Sequence, residues 1–264
     1  MSFRIANHAV RMVVNNLSDV VKLTAVPFLA YSVASLVLSQ AFTGTWNWGG
    51  NSFAGVNVDL TGNEVQTTEL AMRDLLGVII NVIVYLPLAA WLAIGWHRFV
   101  LAEEYPTGFV PPWPKGRVVP YVTRVILLFA FYVLGFVALG LLVWGLALIV
   151  APAGILVGFV LAIFLLVAFV RLSIVLPAIS IDRSDIGFGS AWTETKGLGW
   201  RILGTILVLA LYFLPILLIA ALVVGVIPAI ELPLTLLLEW LGLVITISLL
   251  TTLYGIAIEG RQLT

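Results

Sequence analysis

The sequence contains no cysteine, and only 10% of its 264 residues are charged. About a quarter of the residues in a soluble domain are charged, so a water-soluble globule is excluded, and the apolar composition excludes a disordered chain. The absence of cysteine excludes a disulfide scaffold. Thirteen basic and thirteen acidic residues leave no net charge, so nothing in the composition indicates nucleic acid as a partner.

Catalytic and metal-binding signatures are also missing. The only two histidines are His8 and His97, and without cysteine they match no zinc-binding pattern. There is no HExxH motif, no Gly-rich phosphate loop and no nucleophile elbow. We therefore expect no catalytic residue, no metal and no cofactor. One polar cluster leaves an acid–base interpretation open, namely His97 with Glu103 and Glu104, although adjacent glutamates after a span are more often simply solvated.

Long apolar runs dominate the sequence, since 62% of the residues are hydrophobic. A helix that crosses a bilayer needs about 20 mostly apolar residues. Six segments meet this test, and the alternation expected of barrel strands is absent from them. The sequence predicts an all-α, polytopic membrane bundle with spans at about 23–42, 75–96, 125–150, 155–180, 202–230 and 233–258.

Residues 259–264 are predicted to form a short tail after the last span, and residues 1–22 an amphipathic helix before the first. In residues 1–22, apolar residues recur at helical spacing on one arc, at Phe3, Ala6, Val10, Val13, Val14, Leu17, Val20 and Val21. Arg4, Arg11 and Lys22 fall on the opposing side. This pattern is typical of an interfacial helix whose bases face lipid headgroups. The alternative is that the apolar face packs on the bundle or on a partner.

The distribution of basic residues predicts the orientation. If the N-terminus is cytoplasmic, twelve of the thirteen basic residues lie on the cytoplasmic side or at its interface, and only Arg73 lies outside. We therefore expect both termini in the cytoplasm. The long outer loop from Thr43 to Leu70 contains no base; we interpret it as a cap over the bundle, in which residues 56–63 allow a short hairpin.

Polar residues within spans are costly and usually face protein or water. Arg171 lies toward the cytoplasmic end of span four, where it can reach headgroups or an acid such as Glu194. Glu239 lies near the outer end of span six, so the two do not form a direct pair. Asn81 and Glu239 are the candidate intramembrane polar sites. The candidate contacts with lipid headgroups or partner proteins are Arg4, Arg11, Lys22, Arg98, Arg171 and Arg201.

The chain also shows a threefold rhythm. A basic, partly amphipathic lead-in precedes spans one, three and five, at residues 16–23, 117–124 and 197–203. Each of these spans then turns outside and returns through the next. This pattern allows three tandem hairpins of like orientation.

Three fragments carry a resemblance to a known group: residues 96–103 (WHRFVLAE), 171–178 (RLSIVLPA) and 191–197 (AWTETKG). The chain resembles a widespread group of uncharacterised six-span bacterial inner-membrane proteins. It is similar to YciC-like proteins and to the membrane domain fused to some glycerophosphodiester phosphodiesterases. The resemblance implies a bacterial inner-membrane location. It supplies no catalytic residues, and the sequence holds no soluble phosphodiesterase domain.

Three functions stay open. The first is a non-enzymatic scaffold, assembly factor or accessory subunit, with membrane lipids, other membrane proteins or a second copy as partners; Gly-rich spans favour this because they permit close helix contact. The second is a transporter or channel for a small or lipidic molecule, with a midplane cavity lined by Glu239 or Asn81. The third is an intramembrane lipid enzyme that uses His97, Arg98 and Glu103.

Overall fold

The computed structural model describes residues 1–44, 46 and 72–262, and this part of the chain is all-α, without a strand. Six of its helical stretches are long and apolar enough to cross a membrane. The predicted fold class is therefore confirmed. The helices are α1 (Ser2–Asn15), α2 (Leu17–Thr43), α3 (Met72–Ala102), α4 (Val118–Ala147), α5 (Ala151–Ser173), α6 (Val175–Ser180), α7 (Phe188–Glu194), α8 (Gly199–Val226) and α9 (Glu231–Ala257), with a 3-10 turn at Pro228–Ile230.

The helices differ from the predicted segments mainly at their ends. The N-terminal helix ends at Asn15. Residues 17–22 belong to α2, which begins six residues before the predicted first span. The fourth span is broken at Ile174, where α5 passes into the short helix α6. Residues 56–63, where we predicted a hairpin, and most of the predicted cap lie outside the described residues.

Two helical hairpins pack along their length, α2 with α3 and α4 with α5. Glycine permits the second of these contacts. A Cβ on Gly154 of α5 would lie 3.0 Å from the carbonyl oxygen of Val143 and 3.1 Å from the amide nitrogen of Ala147, both on α4. Small residues allow such close approach of helix backbones within membranes.

The third pair of helices, α8 and α9, is arranged differently. The two helices join at the 3-10 turn, and α1 packs against both of them, whereas α8 and α9 scarcely touch each other. Near the start of α8, the hydroxyl of Thr205 donates a hydrogen bond to the Ser2 carbonyl at 3.3 Å. The rings of Phe3 and Tyr212 meet edge to face at 6.2 Å. Only two of the three expected hairpins are therefore packed as hairpins, and the N-terminal helix separates the third pair.

The face that α1 buries is not centred on the predicted apolar arc. Ile5, Ala6, Ala9 and Val13 are buried, whereas Phe3 and Val14, two members of that arc, are 59% and 64% exposed. The helix thus carries two apolar stripes, of which one packs on the bundle. The buried stripe agrees with the alternative prediction, in which the apolar face of this segment packs on the bundle. Phe3 and Val14 belong to the other stripe and are exposed on the surface of the bundle.

Both ends of the described chain lie at one end of the bundle. We call this end the terminal face; it comprises residues 98–117, 180–201 and 255–262. Next to it lie two buried hydrophobic clusters, to which α3 and α9 contribute the most residues; Trp96 is fully buried in one and Tyr254 in the other. The terminal face is where most of the charged residues of the described chain meet.

Candidate functional site

Four charged side chains form a cluster on the terminal face, which we call the arginine clasp: Arg98, Glu104, Arg117 and Asp182. The Arg98 guanidinium holds both carboxylate oxygens of Glu104, and it also donates to Asp182 at 3.1 Å. Arg117 donates two parallel hydrogen bonds to the Asp182 carboxylate, each 2.8 Å long. Such charge-assisted pairs are stronger than neutral hydrogen bonds.

The local backbone explains why these groups meet. Arg98 lies in the last turns of α3, and it also donates to the carbonyl oxygen of Ser180, the last residue of α6, at 2.9 Å. Asp182 follows in the left-handed region, with φ of 63°, a conformation that aspartate tolerates better than most residues. Arg117 directly precedes α4. The clasp therefore joins the ends of α3 and α6 to the start of α4.

The clasp also fixes the charge state of its acids. Hydrogen bonding to Arg98 lowers the pKa of Glu104 below its usual range. Hydrogen bonding to Arg117, followed by that to Arg98, lowers the pKa of Asp182. Both carboxylates are thus ionised at neutral pH. Arg98, predicted as a headgroup or partner contact, has its hydrogen-bond partners within the protein; its contact with headgroups or a partner stays a prediction.

Arg171 is a second internally engaged arginine. Its guanidinium donates to the hydroxyl of Thr195 at 2.8 Å and to the carbonyl oxygen of Trp192 at 2.5 Å. The same group lies 3.6 Å from the centre of the Trp192 ring, a cation–π contact. Arg171 therefore holds the C-terminal end of α7 against α5, through a carbonyl and a hydroxyl rather than through Glu194.

The structure does not bring His97 and Glu103 together. His97 is completely buried, and its Nδ1 lies 2.8 Å from the hydroxyl of Thr251 on α9. The same hydroxyl lies 2.8 Å from the carbonyl oxygen of Ile247, so Thr251 joins the His97 ring to the backbone of α9. Nε2 is buried without a partner among the described residues. Glu103 is exposed beyond the end of α3, and so this geometry offers no acid–base pair.

The two intramembrane candidates, Asn81 and Glu239, lie near the same two tyrosines, in what we call the mid-span cluster: Tyr31, Ser35, Asn81, Tyr85 and Glu239. Asn81 donates to the Ser35 hydroxyl at 3.0 Å, and Tyr31 shares a hydrogen bond with Ser35. The rings of Tyr31 and Tyr85 meet edge to face at 4.7 Å. The Glu239 carboxylate acts electrostatically on both tyrosines. Helices α2, α3 and α9 each contribute to this cluster.

An apolar groove of about 210 Å³ lies beside the mid-span cluster, between α2 and α9. It is lined by Phe28, Leu29, Leu236, Leu237 and Trp240, among other residues. Its wall is tied by a hydrogen bond from the Trp240 indole to the Thr24 hydroxyl, at 2.9 Å. Glu239 is exposed on the side of the bundle next to this groove.

The remaining predicted contacts lie on the outside of the molecule. Arg4 and Arg11 are exposed on α1, and Arg201 is exposed near the start of α8. Lys22 is partly exposed and pairs with Asp19 at 3.6 Å. These residues are placed where solvent or headgroups can reach them, in contrast to Arg98 and Arg171.

Sequence reasoning missed the hydroxyl partners of these sites, Tyr31, Ser35, Tyr85 and Thr251. Hydroxyl residues are common in spans and commonly bond to their own helix, as Thr251 also does. The sequence signal that could have identified the mid-span cluster is helical spacing. Tyr31 and Ser35 are four residues apart and share one helix face, as do Asn81 and Tyr85.

Over the residues that the structure describes, no group of three or more His, Asp or Glu side chains is placed to hold a metal ion. No family model, curated protein or solved structure matches this chain.

Proposed function

We propose that this membrane protein is a non-catalytic scaffold, assembly factor or accessory subunit of a bacterial inner-membrane complex. In this proposal the mid-span cluster is where a transmembrane helix of a partner docks. The single observation that supports it is Glu239, which is exposed on the side of α9 within a cluster of polar side chains in the membrane-spanning part of the bundle.

The depth follows from helix geometry. Glu239 is eight residues from the start of α9, which is about 12 Å along the helix, and Tyr31 is fourteen residues, about 21 Å, into α2. Ionisable residues within spans are rare and usually face protein or water. Polar side chains on neighbouring helices form contacts that connect helices in membranes, and an exposed Glu239 beside two tyrosines offers such a contact to a partner helix.

The proposed orientation has both termini in the cytoplasm. The exposed bases Arg4, Arg11, Lys196 and Arg201 all lie on α1 or at the terminal face. Cytoplasmic surfaces of membrane proteins are enriched in Lys and Arg. A terminal face held together by the arginine clasp then presents a defined surface to cytoplasmic partners.

The test is affinity purification of the protein at native expression level in mild detergent, with mass spectrometry of proteins and lipids. We expect a stoichiometric protein partner or a second copy. The variant Glu239→Leu should lose this protein partner or second copy, whereas the variant Glu231→Gln, at the outer end of the same helix, should retain it. Wild-type protein that purifies alone and monomeric would contradict the proposal, as would equal retention by both variants.

A second candidate function is the handling of a lipidic molecule, which the apolar groove between α2 and α9 favours. This groove can receive an acyl chain, but its lining is too apolar for a hydrated path. The variant Leu237→Trp fills this groove. If a specific lipid co-purifies with the wild type and is lost from Leu237→Trp while Glu239→Leu retains it, lipid handling replaces the scaffold proposal.

A further inference from the structure

A second groove, of about 260 Å³, opens at the terminal face between the start of α4 and the segment that follows α6. Its polar lining includes Arg117, Arg124, Asp182 and Ser184, and its apolar lining includes Ile179 and Ile186. The mid-span cluster contributes no residue to this groove, so a ligand bound here is independent of the proposed function.

Arg124 distinguishes this groove. Its side chain is partly buried, yet no hydrogen bond or ion pair joins it to any residue within the described ranges. The partly buried arginines Arg98, Arg117 and Arg171, in contrast, all have partners. The sequence offers Arg124 no local acid either, since none stands between Glu104 and Asp182. A partly buried guanidinium that no side chain pairs with keeps its hydrogen-bond donors for an anion.

The other charges of the groove do not cancel Arg124. Asp182 is the acid in the lining, and both of its carboxylate oxygens are occupied by Arg117, with Arg98 as a further donor. The groove therefore keeps an excess of positive charge on the side of α4. The exposed Ser184 hydroxyl adds a donor on the opposite wall.

We propose that this groove binds a phosphate group through the guanidinium of Arg124. The planar guanidinium matches two phosphate oxygens in a bidentate geometry. The carboxylate of Asp182 in the same lining disfavours a second negative charge on the ligand. A phosphodiester, which carries one charge, therefore fits better than a phosphate dianion, and Ile179 and Ile186 suit its ester substituents.

Position along α4 makes a phospholipid the first source of this phosphodiester. Arg124 is six residues, about 9 Å, from the start of the helix. Leu127, three residues further along the same face of α4, is 48% exposed, which is typical of a lipid-facing surface. A guanidinium at this depth lies at the level of headgroups. A soluble phosphate entering from the terminal face is the other source.

The first experiment uses the full chain in nanodiscs of phosphatidylcholine with a minor fraction of phosphatidylglycerol, with retained lipid counted by native mass spectrometry. We expect one phosphatidylglycerol on the wild type and an affinity about tenfold lower for Arg124→Gln, the loss expected for a charge-assisted hydrogen bond. Lys196→Gln, which removes an exposed base of the terminal face, is the control and should stay within about twofold of wild type.

The second arm titrates inorganic phosphate into the detergent-solubilised protein by calorimetry. Binding of phosphate that requires Arg124, without selective retention of phosphatidylglycerol, would keep the phosphate site and assign it a soluble ligand. Equal losses for Arg124→Gln and Lys196→Gln would overturn the proposal, because general surface charge would then explain the binding. Binding of neither probe would overturn it as well. Circular dichroism confirms that both variants are folded.

Discussion

The contact between α4 and α5 at Gly154 permits a prediction whose sign depends on the structure. Replacement by alanine places a methyl group 3.0 Å from the carbonyl oxygen of Val143 and 3.3 Å from the Cα of Ala147. Favourable contacts of carbon with heavy atoms lie near 3.5–4.0 Å. The obstructing atoms belong to the backbone, so they cannot be relieved by a change of rotamer, and the two helices must separate.

The magnitude follows from two opposing effects. Overpacking of a close contact costs about 1–3 kcal/mol. Replacement of glycine by alanine within a helix gains up to about 1 kcal/mol, and less at Gly154, which lies in the first turn of α5. We expect Gly154→Ala to lower the free energy of unfolding by about 1 kcal/mol. Gly154→Val should lower it by about 3 kcal/mol, because a larger, β-branched side chain must be accommodated.

The control is Gly145→Ala on α4, where an added Cβ meets nothing within 4 Å. Only the helix-propensity effect applies there, so this variant should be unchanged or slightly more stable. Unfolding can be followed in mixed micelles of detergent and sodium dodecyl sulfate by circular dichroism and by the fluorescence of the nine tryptophans. If Gly154→Ala and Gly145→Ala are equally stable, the close approach of α4 and α5 at Gly154 is refuted.

Three further predictions concern the polar contacts. Asp182→Asn keeps a residue that tolerates the left-handed backbone and should lower the free energy of unfolding by about 1 kcal/mol at pH 7. Because the folded-state pKa of Asp182 is lowered, the stability difference between wild type and variant is full above about pH 4 and should vanish as the pH falls through that lowered pKa. Melting curves at a series of pH values can follow it. Arg171→Lys should raise hydrogen exchange in α7 specifically, since lysine keeps the charge but loses the planar contact with Trp192; unchanged exchange would contradict the anchoring role. His97→Ala and Thr251→Val should destabilise the protein non-additively, with a coupling of about 1 kcal/mol in a double-mutant cycle, while leaving cellular lipid composition unchanged; altered lipid composition would instead favour the enzymatic hypothesis.

Span number and helical class were predictable because the requirement to satisfy backbone hydrogen bonds in lipid leaves few alternatives. Helix ends were less predictable. The break at Ile174 follows Ser173, the residue whose carbonyl loses its helical donor because Pro177, four residues later, has no N–H. This signal does not predict a break by itself, since Pro27, Pro87 and Pro215 lie inside unbroken helices.

Individual charged residues could be placed near the interface, but their partners could not. The sequence separates Arg98 from Asp182 by 84 positions, and nothing local indicates that Asp182 closes the contact between α3, α6 and α4. Arg171 was expected to meet lipid or an acid, yet it binds the carbonyl end of α7, an acceptor that every helix offers. Tertiary placement decides these partners, and residue identity alone does not.

The position of α1 shows most clearly which sequence signal matters in such a protein. Lipid tails are as apolar as leucine, so an apolar stripe has no preference for protein over lipid, and a periodicity argument cannot distinguish the two. Side-chain size adds only part of the missing signal. The buried stripe of α1 contains Ala6 and Ala9, both with no exposed surface, but also Ile5 and Val13, whereas Phe3 and Val14 remain exposed. Gly204 on α8 receives the side chain of Ser2, and Gly154 on α5 receives the backbone of α4. Small residues therefore accompany the faces on which these helices meet, but two valines of equal size, Val13 and Val14, fall on different sides of α1, so tertiary contacts decide which stripe is buried.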